Sequence, residues 1–225
     1  MSLTGALRQS LTDFYFNSWR LAPANLVWGV GFIAVIVAGP LSAAGVVILV
    51  LLAIPLAGLH RMAALLARDE PVGFSDFVDG IRRFAVPAVA VATGAAVLAA
   101  VFTTNIVVGL AAGGPIGWFI SALALWGDVA LAMLLVAWWP VLVDPRREGL
   151  ALRRRLALAG LVVIGRPGRV FGLTVLVTAI LIVSTVLFAA ILLVSVAYVA
   201  LVSARYVLPL LDALEARLPE GRPPG

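Results

Sequence analysis

The chain has 225 residues, 63% of them hydrophobic and only 12% charged, with a net charge of +5. Soluble domains are about 45–50% apolar and about 25% charged, so folding in water would leave too little polar surface, and apolar runs near bilayer-spanning length make this an all-α, polytopic membrane protein. The absence of cysteine excludes a disulfide framework and a Cys-based metal site, and the single histidine, His60, excludes any site that needs two.

Residues 1–23 carry Leu3, Leu7, Leu11 and Phe14 at helical spacing, with Arg8, Asp13 and Arg20 elsewhere. This pattern predicts an amphipathic helix on the membrane surface. Its polar lead-in is long for a cleaved signal peptide, and the apolar run flows into further membrane segments, so no cleavage is expected. Spans are expected at about 24–38 and 41–59, joined by the uncharged turn "GPLSAAG", with Pro55 as a kink, His60 facing the interface at the exit, and "MAALLAR" as the alternative continuation of the same helix into the cytoplasm. Phe74, Phe77, Val78 and Ile81 then form a stripe that reads as a short interfacial helix.

The third and fourth spans are expected at 84–109 and 118–143, joined by "LAAGGPIG", with Trp138 and Trp139 at headgroup level. The stretch 144–169 holds seven Arg. Arg153, Arg154 and Arg155 would each cost roughly 2.5–3.5 kcal/mol at a helix centre, so this segment reads as an in-plane or cytoplasmic helix. From Val170 to Val207 the only charge is Arg205. One straight helix of that length would be about 57 Å, against a hydrocarbon core of about 30 Å. Two spans, about 170–187 and 191–208, with a turn near 188–193, fit better; the result is six spans, with five as the alternative, and a C-terminal tail at 210–225.

The segments 1–23, 60–83 and 144–169 hold 2, 4 and 7 Arg, and the turns at 39–45 and 110–117 hold none. The positive-inside rule therefore places the N-terminus, the Arg-bearing loops and, with six spans, the C-terminus in the cytoplasm. The same clustering between apolar runs argues against a nucleic-acid partner; Arg82, Arg83 and Arg153 to Arg155 instead form a basic surface for anionic lipid or a cytoplasmic partner.

Asp128 is the only ionisable residue between Phe84 and Val143. A carboxyl group near mid-membrane faces the bundle interior or a wet cavity. Ala124 and Ala132 share its helix face, and Ala88, Ala92, Ala96, Ala100 and Thr104 offer a matching stripe for close contact. With no cation at that depth, the expected state is a protonated acid hydrogen-bonded to a hydroxyl or carbonyl, with Thr178 or Thr174 as partner. The leading reading is interhelical glue; the rival is a polar site on a transport path. Asn105, beside Thr103 and Thr104, is a weaker candidate near the outer end of its span. No phosphate-binding loop, HExxH or nucleophile with a plausible base is present, and a membrane aspartyl protease needs two carboxyl groups, so neither an enzyme nor a cofactor is expected.

Several of these stretches occur together in one family. Asn25, Leu26 and Trp28, then Gly39 and Pro40, Arg68 and Glu70, Phe74, Asp76 and Phe77, and finally Arg82 and Arg83 resemble the opening of the YesL-like family of small bacterial integral membrane proteins. "WWPVLVDPRREGLALRRRLALAGLVVIGRPGR" is similar to its fourth span and basic helix. A Gly-Pro of the family's last apolar segment is missing here. The resemblance implies a cytoplasmic-membrane protein of no established activity, with an accessory role beside an ATP-driven carbohydrate importer; it assigns no site residue. Importer subunits, a second copy of the chain and the lipid bilayer are the expected partners. The alternative function is a small transporter or permease centred on Asp128.

Overall fold

The computed structural model describes residues 2–39, 42–188 and 190–217. The expected turn residues Pro40 and Leu41, and the tail beyond 217, lie outside the described residues. Among those described, the chain is all helical, with no strand. The helices are α1 (Leu3–Ala38), α2 (Ala43–Leu51), α3 (Ala53–Ala67), α4 (Phe74–Ala112), α5 (Gly114–Val143), α6 (Leu152–Gly165), α7 (Pro167–Val186) and α8 (Val196–Glu215). A 3-10 turn at Pro145–Arg147 follows α5, and a π-helical turn at Ile191–Ser195 leads into α8. Six stretches are long and apolar enough to cross a membrane: α1, α2 with α3, α4, α5, α7, and Leu192–Glu215. The chain is a multi-pass bundle of six such helices; the apolar run 170–207 folds as two of them, because α7 ends at Val186.

Two expected boundaries are absent. The amphipathic segment 1–23 is not a separate surface helix, because α1 runs unbroken from Leu3 to Ala38 with Pro23 inside it. Likewise the stripe from Phe74 to Ile81 is the first part of α4, which continues past Pro87 to Ala112. One proline removes one backbone hydrogen bond, a loss that membrane helices tolerate. The change from Arg83 to Phe84 is a change of solvent, not of backbone. By contrast, α2 and α3 are interrupted at Leu52. Pro55 has no N–H for the Leu51 carbonyl four residues back, so the α-helical ladder breaks there.

The helices start and meet through small or polar side chains. Ser2 caps α1 by accepting from Gly5 N at 3.1 Å, and Asp76 accepts from Gly73 N at 2.7 Å at the head of α4. Where α3 crosses α4 the backbones nearly touch: a Cβ on Gly80 would lie 2.9 Å from Gly58 Cα. Helix α8 is the central element. Its most apolar stretch is 67% buried, against 11% for α4 on the periphery.

Helix α1 meets α8 at the π-helical turn. A widened i→i+5 turn puts backbone groups out of step with the α-helical ladder. The buried Asn25 amide supplies both polarities: Nδ2 donates to Leu192 O at 2.7 Å, and Oδ1 accepts from Ala197 N at 2.7 Å. One turn on, Gly29 allows the close approach, since a Cβ there would lie 3.0 Å from Leu192 Cα. Asn25→Leu keeps the volume and orphans both backbone groups. It should destabilise the chain by roughly 2–4 kcal/mol, read as a lowered midpoint of thermal unfolding in detergent; an unchanged midpoint would contradict this role.

Candidate functional site

The charged groups collect at the end of the bundle where α1 and α4 begin and α3, α5 and α8 finish. Asp144, directly after α5, is fully buried. It takes a two-pronged contact from Arg68, Nε at 3.1 Å and Nη2 at 2.7 Å, and a further one from Arg147. Its Oδ1 also caps the 3-10 turn through Arg146 N at 3.3 Å. Asp212 of α8 accepts from Arg68 Nη1 at 2.5 Å and Arg147 Nη2 at 2.6 Å, and Glu215 also pairs with Arg147. Burial works to lower the pKa of both guanidinium groups. The hydrogen bonds and charges of their carboxylate partners outweigh it, and both lie above the ordinary arginine value.

Two further arginines complete the clamp. Arg205 of α8 donates to Asp13 of α1 at 2.8 Å and to Asp69 at 3.0 Å. Arg61 of α3 donates to Val143 O at 2.9 Å and pairs with Glu148. Arg155 corrects the sequence expectation of a basic surface. It is buried, donating to Leu142 O at 2.7 Å, Leu150 O at 3.0 Å and Glu148 O. Burial lowers its pKa, against the charges of Glu148 and Asp144. Helix phase explains the difference: Leu158, Ala159 and Val162 mark the buried face of α6, and Arg155 lies on it, while Arg153 and Arg154 are exposed. Arg61 and Arg155 thus meet the last carbonyls of α5, where a helix end attracts cations. Arg82 is exposed and Arg83 is exposed but paired with Asp79 at 2.7 Å and Glu148 at 3.3 Å.

Asp128 lies at the middle of α5, about 21 Å from either helix end at 1.5 Å per residue. It is half-buried and opens sideways into an apolar groove of about 470 Å³ between α5 and α7, with Ala132, Phe171, Thr174 and Thr178 in the walls. Counting along the spans puts Thr178 at its depth, with Thr174 as the other expected partner, and the structure brings all three to one groove. The expected hydrogen bond is absent: Asp128 hydrogen-bonds none of the described residues, and Thr174 donates to Val170 O of its own helix at 2.9 Å. Asn105 and Thr104 are exposed on α4 outside this groove, and Asn105 turns back to Val101 O at 2.8 Å. The alanine face of α4 does not meet Asp128 either; Ala92, Ala96 and their neighbours line a separate groove toward α2 and α3.

The aromatic and histidine expectations also change. Trp138 and Trp139 are 1% and 9% exposed, core residues rather than an interfacial belt. His60 is buried inside the bundle, its ring stacked on Trp139 at 5.8 Å between centroids and 18° between planes. The buried arginine network was missed from sequence, although Arg205, alone in an apolar run, was its one visible signal.

No family model, no curated protein and no solved structure matches this chain. Removing one partner of a buried ion pair leaves an uncompensated charge, so Asp144→Ala should cost roughly 3–5 kcal/mol. The more exposed Asp212→Asn should cost about 1 kcal/mol or less. Denaturant unfolding in micelles would check the ordering, and equal losses would count against Asp144 as the centre of the clamp.

Proposed function

We propose that this chain is a non-enzymatic accessory protein of a bacterial cytoplasmic membrane. It holds a helix of another membrane protein in the groove between α5 and α7, with Asp128 as the polar anchor. The observation that carries this reading is a mid-helix carboxyl group with no hydrogen-bond partner among the described residues. In hydrocarbon such a group is costly, and a neighbouring helix with a donor or a basic side chain at the same depth offsets that cost. Ala132 and Ala179 leave space for close helix approach along the same walls. The arginine-bearing end faces the cytoplasm on the distribution of charge. The resemblance to the YesL-like family supports the membrane subunit of an ATP-driven carbohydrate importer as the partner.

A transporter centred on Asp128 is less well supported. Such a path needs polar groups aligned between the two ends of the bundle. Here Asn105 and Thr104 are exposed elsewhere, and the central helix α8 is packed with apolar residues such as Leu201, Val202 and Leu208.

Purification from native membranes in mild detergent should recover an importer membrane subunit. Asp128→Leu and Ala132→Trp should each release that partner, while the isolated chain keeps its stability within about 0.5 kcal/mol. Recovery of the chain only with itself, or a partner retained by both variants, would overturn the proposal. Unfolding of the Asp128→Leu chain would return Asp128 to an internal structural role.

A further inference from the structure

A second unfinished polar site lies inside the bundle, independent of the groove at Asp128. A cavity of about 210 Å³ is walled by Trp28 of α1, His60 of α3, Trp139 of α5 and Ser203 of α8, and otherwise by aliphatic side chains. His60 is 4% exposed, and its Nδ1 has no hydrogen-bond partner among the described residues. The indole Nε1 of Trp28 is likewise buried and unpartnered. Buried polar groups are nearly always satisfied, and in hydrocarbon no bulk water stands by to do it. Two such groups in the walls of one cavity mark a place where an outside molecule completes the bonding.

The walls define that molecule. No Arg, Asp or Glu lines the cavity, so a phosphate or other ionic head would lack a counter-charge. The His60–Trp139 stack presents a flat aromatic wall. An apolar cavity of roughly 150 Å³ accepts one benzene ring, so about 210 Å³ accommodates a single substituted six-membered ring. A tail has its own channel. An adjoining apolar groove of about 340 Å³ shares the walls Trp28, Leu56, Leu135 and Trp139 and runs along Leu49, Ala96 and Ala99 toward the uncharged half of the bundle. The polar end of such a ligand would sit near the arginine clamp, since His60 precedes Arg61, and its tail would lie toward mid-membrane.

From this geometry we infer a binding site for a neutral, lipid-soluble ring compound with hydrogen-bonding oxygens and a hydrocarbon tail, the chemistry of a quinone or an alkyl phenol. The imidazole of His60 and the indole of Trp28 hold the ring oxygens, Trp139 stacks on the ring, and the alanine face of α4 borders the tail. This assignment explains why the alanines of α4 gather away from Asp128 and why the one histidine of the chain is buried rather than interfacial.

The test uses the full chain in lipid nanodiscs, titrated with a dimethoxy-methyl-benzoquinone carrying a ten-carbon tail, and reads quenching of tryptophan fluorescence. Quenching should saturate at one quinone per chain. His60→Phe keeps the stacked ring and removes the nitrogens, and should weaken binding roughly tenfold with unfolding temperature unchanged or raised. Leu135→Trp should fill the space and abolish saturation, whereas Thr178→Val, on the far groove, should leave binding intact. Decane added in excess should not displace the quinone. Quenching that grows linearly with quinone in every variant, affinity unchanged by His60→Phe, or full displacement by decane would each overturn the assignment.

Discussion

A carboxylate with no exposed surface, gripped by two arginines, fixes how this bundle is assembled. Asp144 closes α5, Arg68 follows α3, and Asp212 ties both arginines to α8. Apolar contacts specify little between membrane helices, because a lipid tail satisfies a leucine as well as another leucine does. Register has to come from groups that lipid cannot satisfy. Sliding α3 by one turn would move Arg68 by about 5.4 Å and strand a buried charge, so the clamp selects one arrangement even if its net contribution to stability is small. Arg205 extends the same logic to α1 through Asp13. The ion pairs of Arg68, Arg147 and Arg205 all reach α8, the helix around which the others pack.

The opposite end is built on another principle. It carries no charged clamp among the described residues, and its α4–α5 hairpin closes by backbone proximity. Gly113 and Gly114 take positive φ of 65° and 68° to reverse the chain. Ser121 then reaches across to Ile106 O at 3.0 Å, against the close pair Gly109 and Gly117. The bundle is thus pinned by ions at one end and by glycine contacts at the other. Between these ends Gly127 lets the Phe102 ring of α4 lie against α5, and lateral grooves remain between α5 and α7 and beside the alanines of α4.

Solvent was legible in the sequence, and geometry much less so. Hydropathy located the six apolar helices, and counting residues from helix ends put Asp128 level with Thr178, which shares its groove. A polarity shift marks a helix end at Val143, where α5 stops, but not at Ala24 or Phe84, where nothing stops a helix and α1 and α4 run through. Arg153, Arg154 and Arg155 are chemically identical and adjacent, and only the phase of α6 against α5 separates the buried one. Asn25 formed part of a family-like motif without a role, because its partners, Leu192 and Ala197, sit 167 and 172 residues away at an irregular turn that hydropathy does not register. His60 and Trp139 look interfacial in isolation; their burial depends on where α8 lies.

The buried arginines each find a partner for at least one nitrogen, which sets them apart from side chains that find none. Arg61, Arg68, Arg147, Arg155 and Arg205 all find carboxylates or carbonyls, several of them more than one. Among the described residues, Asp128 at mid-helix and the His60 Nδ1 and Trp28 Nε1 inside the bundle have no hydrogen-bond partner. Desolvated polar atoms lose free energy wherever they sit, and aliphatic replacements at these positions would remove that loss. The two places differ in access: the Asp128 groove opens sideways between α5 and α7, whereas the His60 cavity is smaller and ring-walled. Helices α5 and α7 contribute to both, with Val129 and Thr178 on one side and Val136 and Val177 on the other. The same two helices therefore wall both places, one open to the side of the bundle and the other enclosed within it.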